Sequence, residues 1–260
     1  MHTASERIRM IEILAHRGNV AGPAATTEHS LDALDTCLAN GWGVEVDIRR
    51  TGDGRFYLSH DAWPSLHPAG LPAVAGAAKG PGREKCRDSR PDPRHFCTLL
   101  RRYPHATVAL NVKELGYEAA LIDFLREQGV LSQMFLFDME LLESHPGETA
   151  ALLRALDGDV RLAARISDRG EPVERALGIE TADVIWLDEF DRQWASARDV
   201  RRLRNAGRTI YAVSPDLHGY PLNLARRRWE DFIAWGVHGI CTDYPVALAG
   251  TVERLKAIPA

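Results

Sequence analysis

The sequence contains few of the features that identify exported or membrane proteins. Only four of its 260 residues are cysteines, and they are too scattered for a disulfide scaffold. Residues 1–9 carry charged side chains without an apolar run, which argues against a secretory h-region, and no stretch predicts a membrane span. We therefore expect a cytoplasmic protein without stable membrane insertion. Were it exported, Cys86 and Cys97, which share a loop, would be the pair able to form a disulfide.

Positive charge is not in excess, because the chain has 32 Lys and Arg residues and 36 Asp and Glu residues, which gives a net charge of −4. Nucleic-acid-binding proteins usually present a basic face, so we expect no nucleic-acid partner. The run Arg226-Arg227-Arg228 predicts a solvated helix face. The sequence also lacks a serine-nucleophile motif, a phosphate-binding P-loop and zinc-ligand spacing. It carries no signal of an oligomeric state.

What is present is a regular alternation of short apolar runs and amphipathic stretches, which is typical of repeated βα units. The length is close to the ~250 residues of a (β/α)8 TIM barrel, and 45% hydrophobic residues supply a substantial core. We expect one α/β domain of this type over residues 1–260. The candidate strands are residues 11–15, 44–48, 107–112, 134–137, 161–165, 183–187, 209–213 and 239–242. The candidate helices are residues 30–40, 117–128, 148–156, 173–177, 197–206 and 228–235.

One segment interrupts this alternation. Residues 62–93 are rich in Pro, Gly and Ala without a clear period, which predicts a long loop insertion after the second strand. Such loops usually leave the carboxyl end of a barrel, so this one either covers the substrate or has no role there. Before it, the turn at residues 51–54 predicts a short return strand over residues 55–59, which brings His60 back towards the second strand.

Acidic and imidazole side chains fall at the ends of the first candidate strands. Glu45 and Asp47 are two residues apart on one strand, so both side chains point to the same face and can hold one hard cation. His16 and His60 lie on either side of them. Two imidazoles beside a metal suit the cleavage of a phosphate ester, since one removes a proton and the other protonates the leaving oxygen.

Later strands end in further pocket candidates. Trp186 lies at the end of the sixth candidate strand and Asp188 directly follows it. Ser214 and His218 follow the seventh strand. Residues at the carboxyl ends of barrel strands line the active site of such folds, so these side chains are predicted at the mouth. For Trp186 a purely packing role is an equal alternative.

Several motifs in the chain resemble those of the glycerophosphodiester phosphodiesterase family, a (β/α) barrel group in the superfamily of phosphatidylinositol-specific phospholipases C. The matching segments are His16-Arg17-Gly18, Glu28-His29-Ser30, Glu45-Val46-Asp47 with Thr51 and Asp53-Gly54, His60-Asp61 and the closing Gly239-Ile240-Cys241-Thr242-Asp243-Tyr244-Pro245. The resemblance spans nearly the whole chain.

The resemblance implies roles for these residues. His16 and His60 would be the acid and the base, Glu45 and Asp47 would bind a divalent cation, Mg²⁺ or Ca²⁺, and Arg17 would contact phosphate. The pocket residues grouped with Arg17 as substrate- or phosphate-binding are Lys113, Glu28, Trp186 and His218. On the third strand the family has Glu-x-Lys where this chain has Asn111-Val112-Lys113, so Asn111 would offer a neutral amide oxygen as the third ligand.

These observations predict a metal-dependent hydrolase of a small, glycerophosphodiester-like phosphodiester. One alternative keeps the site but stops at a cyclic phosphate, as a lyase or transferase would. Another is a non-catalytic binding protein on the same barrel, suggested by Asn111 where a carboxylate is expected. A barrel isomerase or aldolase would need a Schiff-base lysine, for which Lys113 alone is weak support.

Overall fold

A computed structural model describes residues 11–24, 26–62 and 92–257, and within them eight parallel strands close into a barrel. In the order in which they pair, these strands are β1 (Glu12–His16), β2 (Gly43–Arg50), β4 (Val108–Val112), β5 (Met134–Phe137), β6 (Arg161–Ile166), β7 (Val184–Leu187), β8 (Thr209–Val213) and β9 (Gly239–Thr242). Pairing of β9 with β1 closes the ring. The predicted (β/α)8 barrel is confirmed.

The return strand is also confirmed, as β3 (Phe56–Leu58), which pairs antiparallel with the end of β2 outside the barrel. It carries the chain back so that residues 59–61 follow directly beside the barrel mouth. Most of the predicted loop insertion at residues 62–93 lies outside the described residues. Its last residue, Pro93, belongs to a helix.

Helices connect the strands on the outside of the barrel. They are α1 (Leu31–Ala39), α2 (Pro93–Leu100), α3 (Glu118–Glu127), α4 (Glu148–Leu156), α5 (Val173–Gly178), α6 (Ala197–Asn205), α7 (Leu222–Trp235) and α8 (Pro245–Lys256). The sequence patterns did not predict α2 and α8, and they placed the start of α7 six residues late. Both missed helices start with proline, which is favourable in a first helical turn because its absent N–H needs no partner there.

The barrel interior is a packed core and not a pore. Its buried side chains form a cluster separate from the layer between strands and helices, made of Leu14, Ala109, Phe135, Phe137, Ala163, Val184, Trp186, Tyr211, Val213 and Cys241. The rings of Phe135 and Tyr211 stack with their centroids 5.0 Å apart. Gly239 leaves room for this stack, because a Cβ atom there would lie 2.6 Å from the Tyr211 ring. The cluster closes the barrel beneath the mouth.

The arginine run on α7 does not form a uniform solvated face. Arg226 and Arg227 are exposed as predicted, but Arg228 is buried, and that part of the prediction was wrong. Its Nε donates to Oε2 of buried Glu189 at 2.8 Å, and its guanidinium lies 4.5 Å from the ring centroid of Trp235. The helical period explains the error, since position 228 shares the buried face with neighbours three and four residues away.

Cys37, Cys97 and Cys241 are free and buried, and Cys86 lies outside the described residues. Burial without a disulfide is typical of cysteine acting as a small apolar side chain. Within residues 11–24, 26–62 and 92–257, no helix combines the length and the apolar character needed to cross a membrane.

Replacing Arg228 by alanine tests the buried ion pair. Glu189 would keep its backbone donors at Trp194 and Ala195 but lose its countercharge, so we expect about 3–5 kcal/mol lower stability against urea, measured by circular dichroism. The matched control is Arg227→Ala on the exposed face, expected to change stability by no more than about 0.5 kcal/mol. Equal effects of the two substitutions would contradict the structural role of Arg228.

Candidate active site

A cavity of about 230 Å³ opens at the carboxyl ends of the barrel strands, where active sites of this fold lie. The predicted site residues that line it are His16, Arg17, Glu45, Asp47, His60, Asn111, Lys113, Trp186 and His218. Asp188, also predicted at the mouth, lines it as well, whereas Glu28 and Ser214 lie outside the lining. Glu28 contacts one lining residue. Its carboxylate accepts from Nη1 of Arg17 at 3.3 Å, so it contacts the cavity only through that arginine.

Strand register brings the first group of these side chains together. His16 on β1 is level with Glu45 on β2, and Asp47 on β2 is level with Asn111 on β4. Alternation along β2 points Glu45 and Asp47 to the same side, and both line the cavity as expected. Four polar side chains from three adjacent strands therefore share one patch of the wall.

Three members of this patch present oxygen atoms suited to a hard cation. Oε2 of Glu45, both carboxylate oxygens of Asp47 and Oδ1 of Asn111 are buried and receive no well-directed hydrogen bond. Buried oxygens without donors are costly unless an ion or water satisfies them, and Mg²⁺ and Ca²⁺ take such ligands. Within the described part of the chain no three His, Cys, Asp or Glu side chains form a group that could hold a metal ion, so a set of three around Glu45 and Asp47 would require the amide oxygen of Asn111.

Asp47 is surrounded by positively charged or imidazole groups. Nζ of Lys113 lies 2.8 Å from Oδ1, and Nε of Arg17 lies 3.2 Å from Oδ2. Nε2 of His29 accepts the backbone N–H of Asp47 at 3.1 Å and lies 3.2 Å from Oδ2. Burial alone would raise the pKa of Asp47, but these neighbours outweigh it and hold that pKa well below its usual range. Asp47 is therefore ionised near neutral pH.

Glu45 has the opposite environment. Its burial, with the negative charge of Asp47 beside it, raises the pKa of the Glu45 carboxyl, and the nearby His16, Arg17 and Lys113 only partly offset this rise. A cation held between the two carboxylates would favour the ionised form of both.

His16 is held from behind by a buried carboxylate. Its Nδ1 lies 2.7 Å from Oδ1 of Asp243, which also accepts from Nδ2 of Asn19 at 2.7 Å. Since a carboxylate only accepts, Nδ1 carries a proton and Nε2 is left to face the cavity, 3.8 Å from Oε2 of Glu45. Burial would lower the pKa of His16, but the Asp243 hydrogen bond and the Glu45 charge outweigh it, so the pKa is raised.

Asp243 is fixed in turn by Asp216, a residue that the sequence analysis did not single out. The backbone N–H of Asp243 donates to Oδ2 of Asp216 at 2.9 Å, and the hydroxyls of Thr242 and Ser214 donate to the same carboxylate. Ser214, a pocket candidate from the sequence, is thus buried behind the wall and not in the cavity lining. The sequence signal that could have led to Asp216 is the closing Thr242-Asp243 motif, because both of its residues donate to that carboxylate.

His60 reaches the cavity from the segment after β3, and its side chain is 47% exposed. Its backbone carbonyl accepts from Nε and Nη2 of Arg49 at 2.9 and 2.7 Å. Arg49 is paired on its other side with Glu114, which points away from the cavity. This clamp, invisible in the sequence motifs, fixes the backbone of the predicted catalytic residue while its imidazole stays accessible.

The far side of the cavity carries a second charged network, also unforeseen apart from Asp188 and His218. Arg165 on β6 donates from Nε to Oδ1 of Asp138 at 2.8 Å and from Nη1 to Oδ2 of Asp188 at 2.9 Å. Nε2 of His218 lies 2.5 Å from the remaining oxygen of Asp188. Nδ2 of Asn111 donates to Oδ2 of Asp138 at 3.0 Å and joins this network to the patch that holds Glu45 and Asp47. The sequence signal that could have revealed this network is Arg165 itself, because an arginine within a buried strand needs charged partners.

Aromatic rings form the rest of the far wall. Trp186 is buried against Phe137, with ring centroids 4.4 Å apart, and Phe190 packs on the His218 ring at 4.5 Å. Trp186 thus serves both roles considered for it, as a core residue and as cavity lining.

No protein-family model and no curated protein sequence matches this chain. Solved structures do resemble it. A putative glycerophosphodiester phosphodiesterase from Galdieria sulphuraria superimposes with a TM-score of 0.69 at 17% identity, covering 94% of this chain and 98% of that one. A glycerophosphodiester phosphodiesterase from Agrobacterium tumefaciens gives 0.63 at 20% identity, with coverages of 92% and 100%.

A third similar structure is an Oleispira antarctica phosphodiesterase in complex with the product sn-glycerol-3-phosphate. Its TM-score is 0.63 at 18% identity, and the alignment covers 97% of this chain and 100% of that one. At such identities the likeness shows a shared barrel fold over nearly the full length of both chains. The fold expected from the resemblance is therefore confirmed, and the chemistry depends on the residues at the mouth.

Proposed function

We propose that this chain is a metal-dependent phosphodiesterase that hydrolyses a small, glycerophosphodiester-like substrate to a phosphomonoester and an alcohol. The observation that carries the proposal is the convergence, in one cavity, of the predicted imidazole, carboxylate and cationic groups, which belong to His16, His60, Glu45, Asp47, Arg17 and Lys113. A volume of about 230 Å³ lies below the ~300–1,000 Å³ of pockets for drug-sized ligands, which supports a small substrate. The Oleispira antarctica neighbour, bound to sn-glycerol-3-phosphate, supports a glycerol phosphate head.

The cation would be held by Glu45, Asp47 and Asn111, as Mg²⁺ or Ca²⁺. When bound, it would neutralise the phosphate and the charge that builds on it in the transition state. Arg17 and Lys113 flank the same carboxylate, Asp47, from the cavity side, so both can donate to phosphate oxygens of a bound diester. These donors orient the ester between the two histidines.

Proton transfer is assigned to His16 and His60. Nε2 of His16 is directed to the cavity by the Asp243 contact, which makes it available to take or give a proton. One histidine activates water or a neighbouring substrate hydroxyl, and the other protonates the departing alcohol. Attack by the hydroxyl passes through a cyclic phosphate, and a reaction that stops there defines the lyase alternative.

The proposal is tested with glycerophosphodiesters of several head groups, with and without added Mg²⁺, Ca²⁺ and Mn²⁺, and with phosphorus NMR as the readout. We expect metal-dependent formation of a phosphomonoester that chelator abolishes. Accumulation of a cyclic phosphate alone would favour the lyase, and absence of turnover with every diester and metal would favour a binding protein.

Neutralising Glu45 tests the metal site separately from catalysis. Glu45→Gln removes a charged ligand while keeping the shape, so Mn²⁺ affinity measured by calorimetry should fall by at least about tenfold. Glu114→Gln is the matched control, because Glu114 lies outside the cavity lining. Metal affinity that Glu45→Gln leaves intact would place the cation elsewhere.

Alanine at His16 or His60 should lower kcat by about 10²–10⁴-fold, the usual contribution of general acid–base catalysis. Mn²⁺ affinity should stay near that of the native protein, and circular dichroism checks that each variant is folded at the assay temperature, which separates catalysis from folding. His105→Ala, at an exposed turn, is the control. Near-full turnover by either cavity variant would refute its assignment.

A further inference from the structure

The side-chain amide of Asn111 spans the two polar halves of the cavity. It is 6% exposed, its Nδ2 donates to Asp138 at 3.0 Å, and its Oδ1 is buried without a hydrogen-bond partner among the described residues. A buried, unpartnered oxygen on the cavity wall is an unfavourable arrangement unless a ligand completes it.

Because the hydrogen-bond partner of the Asn111 amide is the carboxylate of Asp138, it determines which end of the amide faces Glu45 and Asp47. A carboxylate accepts hydrogen bonds and donates none, so the atom of Asn111 that faces Asp138 must be the NH2 group. Asp138 follows β5, on one side of Asn111, and Asp47 is level with Asn111 on β2, on the other. The amide oxygen is therefore left for the side that carries Glu45 and Asp47.

Asp138 is itself held in one position. Arg165 donates to it from Nε at 2.8 Å and from Nη2 to the other oxygen at 2.7 Å. Its backbone has a φ of 74°, a left-handed conformation that is unfavourable for most residues with a side chain. Strained backbone of this kind persists where the surrounding contacts enforce it, often at ligand sites.

Building on the proposed metal-dependent function, we propose that Asp138 is a positioning residue for the metal site. It holds the Asn111 amide so that the oxygen, and not the NH2 group, points at the cation bound by Glu45 and Asp47. Without this acceptor the amide is free to rotate and to present its donor end to the cation. Outer contacts of this kind typically change metal affinity by about 10–100-fold.

Two substitutions separate the acceptor from the charge. Asp138→Asn and Asp138→Gly both remove the negative charge, and Asn and Gly are the residues that adopt a left-handed backbone most readily. The asparagine side chain of the first variant keeps an oxygen that can accept from Asn111, whereas glycine does not. We expect Mn²⁺ to bind Asp138→Gly about 10–100-fold more weakly than Asp138→Asn, measured by calorimetry and by electron paramagnetic resonance of free Mn²⁺.

A double-mutant cycle shows whether Asp138 acts through Asn111. In the Asn111→Ala background the difference between the asparagine and glycine variants of Asp138 should disappear, because no amide remains to be oriented. A merely structural role would leave that difference equal in both backgrounds, and this result, or equal affinities of the two Asp138 variants, would overturn the proposal. Circular dichroism checks each fold, and Asp138→Ala, which also lacks a side-chain acceptor, replaces the glycine variant if that variant unfolds.

The Glu45→Gln variant distinguishes this inference from the function on which it rests. Native protein that binds Mn²⁺ in a Glu45-dependent manner, without coupling between positions 111 and 138, contradicts only the role of Asp138. Native protein that does not bind Mn²⁺, Mg²⁺ or Ca²⁺ contradicts the metal-dependent function and the positioning role together.

Discussion

The hydrogen-bond register between neighbouring parallel strands is the constraint on which the candidate site depends. It sets His16 level with Glu45 and Asp47 level with Asn111. Because side chains alternate along a strand, a slip of β2 by one residue would turn both carboxylates towards the helices and the apolar layer. The closed ring leaves no free edge at which β2 could shift alone. Barrel closure thus determines which side chains form the polar patch, and side-chain contacts determine only their detailed positions.

Buried charge and left-handed backbone occur together around the cavity. The cavity lining contains the buried cation Arg165 and the half-buried cations Arg17 and Lys113. It also contains four buried carboxylates, on Glu45, Asp47, Asp138 and Asp188. Among the described residues that are not glycine, a positive φ occurs at Arg17, His29 and Asp138, all of which line the cavity or touch its carboxylates. Buried charge and left-handed backbone both oppose stability, so their joint location supports a selected function at this mouth.

The features that the sequence predicted correctly are those with a signal within a short stretch of chain. The Glu45–Asp47 spacing predicted a shared face from strand geometry alone, and the apolar runs predicted the barrel. Predictions from the sequence failed for residues whose role depends on tertiary contacts with distant parts of the chain. Arg228 looked solvated within an arginine run, although its buried partner Glu189 is far away in sequence. Asp138 belongs to no motif, and its importance comes from contacts with residues on two other strands.

The amide at position 111 and the network beyond it form one electrostatic arrangement. An aspartate at this position, which has the same shape as Asn111, would place a carboxylate oxygen about 3 Å from that of Asp138, and like charges so close disfavour joint ionisation. Arg165 does not remove the conflict, because it already neutralises Asp138 and Asp188 together. An amide satisfies Asp138 with its NH2 group and still offers an oxygen to the other side. The amide of Asn111 therefore suits its neighbour Asp138. The formal negative charge of the patch on the other side comes from Glu45 and Asp47.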